Sequence, residues 1–233
     1  MSAYEDALDA EPRNLEAMWK LARALYFQGQ FTAMPAADRE LVWDRGVELA
    51  DRSIAILHHG DNDWAERAPE ALAAGVPDRN LGASVHFWAA VHWGLWGETK
   101  GSLAAVRKGV AERIRDHALV AIALDETIEN GGPHRLLGRL HTVAPRVPLI
   151  TGWVSHEEAL RLLERAIEIA PADLTNRLYL AQARLLILPE QRDSALLEIE
   201  AVATAELDVE STVEGRRTQA EARAALAEAR ARP

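Results

Sequence analysis

The side chains that could do chemistry here are histidines, paired carboxylates, and arginines set among aromatics. The 233 residues contain no cysteine, so thiol catalysis, disulfides and Cys-ligated metals are excluded. The densest histidine–acid run is His58-His59-Gly60-Asp61-Asn62-Asp63, and His86 and His92 follow it. Neighbouring loop side chains point in different directions. His86 and His92 are six apart, which misses the one-turn spacing of a helical metal pair. The run therefore reads as a solvated loop without a metal. His134 and His141, seven apart, share a helix face, and His141, where the repeat sets a large packing residue, reads as a core or boundary histidine rather than a general base. Ser155-His156-Glu157-Glu158 has the letters of a nucleophilic triad, but consecutive residues cannot assemble one and a helix cap accounts for them. The sequence has no Gly-rich phosphate loop, nucleophile elbow or H-E-x-x-H. No catalytic residue and no cofactor are expected.

The elements that carry these residues are read from composition and period. Hydrophobic residues make up 48% and charged residues 27% of the chain, a profile that supports a packed core. Ala, Leu, Glu and Arg dominate, which favours helices. The net charge of −10 opposes nucleic-acid binding without a concentrated basic patch. The nearest to such a patch is Lys100, Arg107, Lys108, Arg113 and Arg115, which scatter over more than one helix face and read as solvated. No apolar run is long enough to span a bilayer, and residues 1–6 do not read as a signal peptide. A cytoplasmic location is expected as the sequence stands, or a periplasmic one if an upstream signal has been removed.

Apolar residues recur at three–four spacing almost throughout. The pattern predicts helices over 14–29, capped by Asn14 and ended by Gly29, and over 37–57, 83–97 and 102–124. It predicts a long irregular connection at 58–82 holding one short helix at 67–74. Asn130-Gly131-Gly132-Pro133 reads as a stop followed by a start, opening 133–143. Residues 144–154 form an apolar loop, and Ser155 with Glu158 reads as a capping box for 155–170. Further helices follow at 174–188, 190–206 and 212–230. No segment shows strand alternation.

Within these helices a motif repeats. Leu21-Ala22, Leu137-Gly138 and Leu180-Ala181 set a large residue beside a small one, with Val91-His92 a poorer copy. The small residue lets two helices approach while the large one fills the gap between pairs. Ala159-Leu160, Leu163, Ala166-Ile167 and Pro171 carry the matching pattern of a second helix, and this segment closely resembles the second half of a tetratricopeptide repeat. The runs Trp19–Arg23, His86–Gly94 and Gly131–Leu140, with Pro145, Pro148 and the helix ending at Pro171, are also similar to two families. These are the T-component of tripartite ATP-independent periplasmic (TRAP) transporters and the eukaryotic regulator of microtubule dynamics family. The resemblance implies an all-α fold, a degenerate solenoid of tetratricopeptide-like helical hairpins. One domain over 1–233 is expected, with 1–13 a partial or capping helix, pairs at 14–57, 83–130, 131–171 and 172–206, and a capping helix at 212–233.

In such pairs the first helices line a concave groove. The large–small register places Trp19, Arg23 and Tyr26 there, then His86, Trp93 and Trp96, then Arg135 and Arg139, then Leu178, Gln182 and Leu185. Aromatic and Arg residues are those enriched at binding hot spots, and guanidinium groups beside aromatics suit a carboxylate-bearing ligand. The function expected is a non-catalytic module that binds a protein or peptide partner in the groove. The alternative implied by the transporter resemblance is a periplasmic small-molecule-binding component of a TRAP-type uptake system.

Overall fold

A computed structural model describes residues 1–148, 150–207 and 212–231. The described residues are all-α: twelve α-helices, two short 3-10 turns and no strand. The expected ends of the 144–154 loop and of the last helix are described, but Leu149 and residues 232–233 lie outside. No helix among the described residues is long and apolar enough to cross a membrane. The chain divides into two compact units. The first holds Met1–Ile128 with Val147–Thr151, and the second holds Glu129–Arg146 with the residues from Gly152 onward.

The first unit begins with α1 (Ser2–Ala10) and α2 (Leu15–Phe31). Asn14 caps α2 by accepting the Ala17 N–H at 2.9 Å, which satisfies one of the free donors at a helix start. Gly29 does not end α2. It stays helical and buried, because a Cβ there would lie 2.2 Å from the Trp43 ring. Trp43 belongs to α3 (Ala36–Leu57), whose inner stripe also includes Val47, Ala50 and Ile54. His58 ends α3, and His59 and Gly60 then adopt left-handed φ of 55° and 81°. The Gly60 N–H returns to the Ala55 carbonyl at 2.7 Å, closing the helix end and reversing the chain.

The predicted long connection contains a 3-10 turn at Trp64–Glu66 and α4 (Pro69–Ala74). Next comes α5 (Arg79–Lys100), which starts four residues earlier than its apolar pattern indicates because Asp78 caps the Leu81 N–H at 2.9 Å. Residues 82–90 are buried without interruption, since α2, α3 and α7 all pack on this helix. The helix expected over 102–124 is two, α6 (Ser102–Arg107) and α7 (Val110–Asp125), parted where Gly109 takes φ 61°.

In the second unit, Glu129, Asn130 and Gly131 are left-handed, with φ of 47°, 60° and 76°, before the helix proper of α8 (Ile128–Val143) runs on. Then follow α9 (His156–Ile169), α10 (Leu174–Ile187), α11 (Arg192–Thr204) and α12 (Thr212–Ala231). Leu178, Ala181, Ile199, Val202, Ala222 and Leu226 join α10, α11 and α12 into one core. The capping box at Ser155 is only half formed. Its side chain accepts from Glu158 N–H at 3.4 Å, but the Ser155 N–H donates to His141 Nδ1 at 3.0 Å, and Glu158 turns to Arg161.

Candidate functional site

In the first unit, α5 forms the floor of a seam whose sides are α3 and α7. Along it Trp96 Nε1–H donates to Asp44 at 2.8 Å and Trp93 Nε1–H to Asp51 at 3.3 Å. Lys100 pairs with Glu40 and, at 3.0 Å, with Asp44. The Arg113 guanidinium lies 4.3 Å from the centre of the Trp93 ring and 3.8 Å from Asp51. The spacing is antiparallel: Glu40, Asp44, Asp51 and His58 on α3 face Lys100, Trp96, Trp93 and His86 on α5. At the deep end, His58 Nε2 is 2.9 Å from His86 Nε2, and His86 Nδ1 is 3.1 Å from His117 Nδ1. Trp64 is stacked on both outer rings, at 5.4 Å from His58 and 4.7 Å from His117.

Burial holds these imidazoles neutral. His86 is pushed well below the ordinary histidine range by burial and then by the other two rings. His117 is pushed down to about 3 by burial and by Arg113. His58 is lowered by burial and by Arg67. Each ring contact needs one proton between two nitrogens, and His86 turns opposite nitrogens to its two neighbours. That arrangement is a hydrogen-bonded chain rather than a cage converging on one ion, and no group of three His, Asp or Glu among the described residues is arranged to hold a metal.

This differs from the register read off the sequence. His86 is fully buried and Trp93 is 3% exposed. Both face α3 and α7, so neither presents surface to a partner, and Trp96 lies beside them in the seam. The stripe that α5 turns to α2 is Trp88, 5.4 Å from Tyr26, and His92, whose Nε2–H donates to the Ala22 carbonyl at 2.8 Å. Trp19 packs on the Ala50–Ile54–Val85–Ala89 cluster, and Arg23 lies exposed over Phe27 at 5.4 Å. The first-unit candidates are therefore not gathered into one aromatic–Arg surface. The physical reason is that α5 is buried on nearly every side, which leaves its apolar pattern without a direction. His58 is likewise a correction: it is buried, 7% exposed, while His59 beside it is exposed. Its place as the end residue of α3 takes it inward.

The second unit does bring its candidates together. Arg139 on α8 donates to Gln182 Oε1 on α10 at 3.0 Å and lies 4.9 Å from the centre of the Tyr179 ring. Arg135, one turn earlier, donates to Asn176 Oδ1 at 2.7 Å and lies 3.8 Å from Asp173. Asn176 has no exposed surface, and its Nδ2 donates to the Asn130 and Ala166 carbonyls at 2.9 Å each. It ties the left-handed turn before α8 to α9 and α10. The sequence gives no sign of this residue beyond its position in the first turn after a capping Asp. Leu178 is core and Leu185 packs against it. Arg135 has a carboxylate nearby, whereas no carboxylate among the described residues pairs with Arg139. Elsewhere in the same unit Arg161, Arg177 and Arg184 each pair with a glutamate.

No protein-family model matches the chain, and a search of curated proteins finds no relative.

Proposed function

We propose that this protein is a non-catalytic helical-repeat interaction module, and that the α8–α10 face of its second unit takes a carboxylate-bearing protein or peptide partner. The carrying observation is Arg139. It is half-buried and held by the neutral Gln182 amide and the Tyr179 ring, and no carboxylate among the described residues pairs with it. Guanidinium–carboxylate pairs are short, directional and about twice as strong as neutral hydrogen bonds. A guanidinium already oriented loses less freedom on pairing. Its remaining donors are those an incoming carboxylate would take.

The tetratricopeptide-like reading is part of this proposal. It is supported by Leu137 and Leu180, both buried, and by Gly138, where a Cβ would lie 2.7 Å from Leu163 of the following helix. This is the close approach that a small residue in the first helix of a pair allows. The successive packing of α10 on α9, α11 and α12 accords with it. A solenoid of such pairs leaves its first helices, α8 and α10, on the face that receives ligands.

The test uses a random peptide library with free C-termini beside the same library amidated, captured on immobilised protein. Free-carboxyl peptides are expected to enrich on the native protein. Arg139→Ala should lower the affinity of those selected by roughly 10-fold or more, the worth of one charge-assisted pair. Equal capture of both libraries, or of the same peptides by Arg139→Ala, refutes the assignment.

A further inference from the structure

The histidine chain at the end of the seam has no role in that reading, and its connectivity limits how many protons it can hold. Three neutral rings carry three ring protons. Two contacts each take one, leaving one at an outer nitrogen, either His58 Nδ1 or His117 Nε2. These two arrangements differ only in the direction in which every proton is shared. A fourth proton fits with both contacts intact, because the outer nitrogens of His58 and His117 can then both be protonated. A fifth has nowhere to go except into a contact, where two N–H groups would face each other. That contact must open.

The segment that covers the chain, residues 61–67, has no fully buried side chain. Residues 61–67 cross the end of α3, and within them only Trp64 stacks on His58 and His117. The charged groups facing the rings are few. Asp61 and Arg67 of the strap pair with each other at 3.0 Å. Arg113 of α7 stands over the seam, His59 is exposed beside His58, and α5 contributes only His86. Arg113 and Arg67 oppose added positive charge, and Asp61 alone favours it. A stacked imidazolium pair beside two guanidinium groups leaves opening as the way to hydrate the charge.

We propose that His58, His86 and His117 form an acid-sensitive latch: the neutral chain holds the Trp64 strap against α5 and α7, and uptake of the second extra proton releases it while the helices remain folded. Release would uncover the seam floor at His86 and Ala89.

The experiment uses the full chain labelled with 5-fluorotryptophan, the Trp64 resonance being assigned with Trp64→Phe and followed by 19F NMR as pH is lowered. Trp64 is expected to move to a solvent-exposed shift before the other tryptophans and before helical circular dichroism is lost. The slope of that transition should approach two protons. His58→Phe keeps the ring stack and leaves a two-ring chain, and should lower the Trp64 midpoint by about one pH unit or more. The latch is refuted if Trp64 changes only together with global unfolding. It is equally refuted by a one-proton slope, or by an unchanged midpoint in His58→Phe. The order of events and the slope in the native protein decide the matter even if His58→Phe does not fold.

Discussion

His92 provides a quantitative test of how the first unit is packed. Its Nε2–H donates to the Ala22 carbonyl, so its Nδ1 carries a lone pair, buried against Gly46 and without a hydrogen-bond partner among the described residues. Burial pushes the ring down to about 4, partly offset by the Ala22 carbonyl. In the unfolded chain it titrates near 6.5. Above pH 6.5 both states are neutral and the packing contributes in full. As pH falls, the unfolded state takes up the proton and the folded state does not. Stability is therefore lost from about pH 6.5 down to about pH 4 and then levels off. Between pH 7.5 and 5 the loss from this one ring is about 2 kcal/mol, at 1.36 kcal/mol per pKa unit. His117, held down to about 3, loses a similar amount over the same interval. A total near 4 kcal/mol is a large part of an ordinary domain's 5–15 kcal/mol. Urea unfolding followed by tryptophan fluorescence reads the first unit, which holds six of the seven tryptophans. His92→Gln keeps a donor for Ala22 and removes the titration. Its loss between pH 7.5 and 5 should be about 2 kcal/mol smaller than that of the native protein, whatever its stability at pH 7.5. Losses equal within about 0.5 kcal/mol would refute the buried neutral ring.

Two further substitutions test the packing around these sites. Gly46→Ala sets a methyl 2.0 Å from His92 Nδ1, and α3 and α5 must separate to admit it; a loss of about 1–3 kcal/mol or more is expected in the same fluorescence assay, with little change in the second unit. Asn176→Ala removes the amide that donates to the Asn130 and Ala166 carbonyls and accepts from Arg135; it should cost about 1–3 kcal/mol in calorimetric unfolding and loosen the α8–α10 face, whereas a cost under about 0.5 kcal/mol would show that the amide does not hold it.

The all-α class, the caps at Asn14 and Ser155 and the repeated Leu–small pair were written in local signals: helix period, short polar side chains and residue size each act within a few positions of themselves. The helix starts at Asn14 and Ser155 are legible from the capping side chain, whereas the Asp78 cap lies ahead of the apolar pattern it serves. Other helix ends are decided beyond the local pattern: at Gly29 by a distant ring from Trp43, and at Gly109 by one left-handed residue that divides a continuous apolar pattern. The large–small register sets Arg139 and Gln182 toward one groove, and the hydrogen bond between them is seen only once α8 and α10 are packed. The histidine chain has no such register. His58, His86 and His117 lie on three helices, and nothing local marks that they converge. His58 sits beside an exposed His59 in a run that reads as loop, and α5 is apolar on almost every face. Periodicity assigns a direction to a helix only when one face meets water. For α5, three packed neighbours removed that reference, so which side held its histidines and tryptophans was settled by tertiary packing.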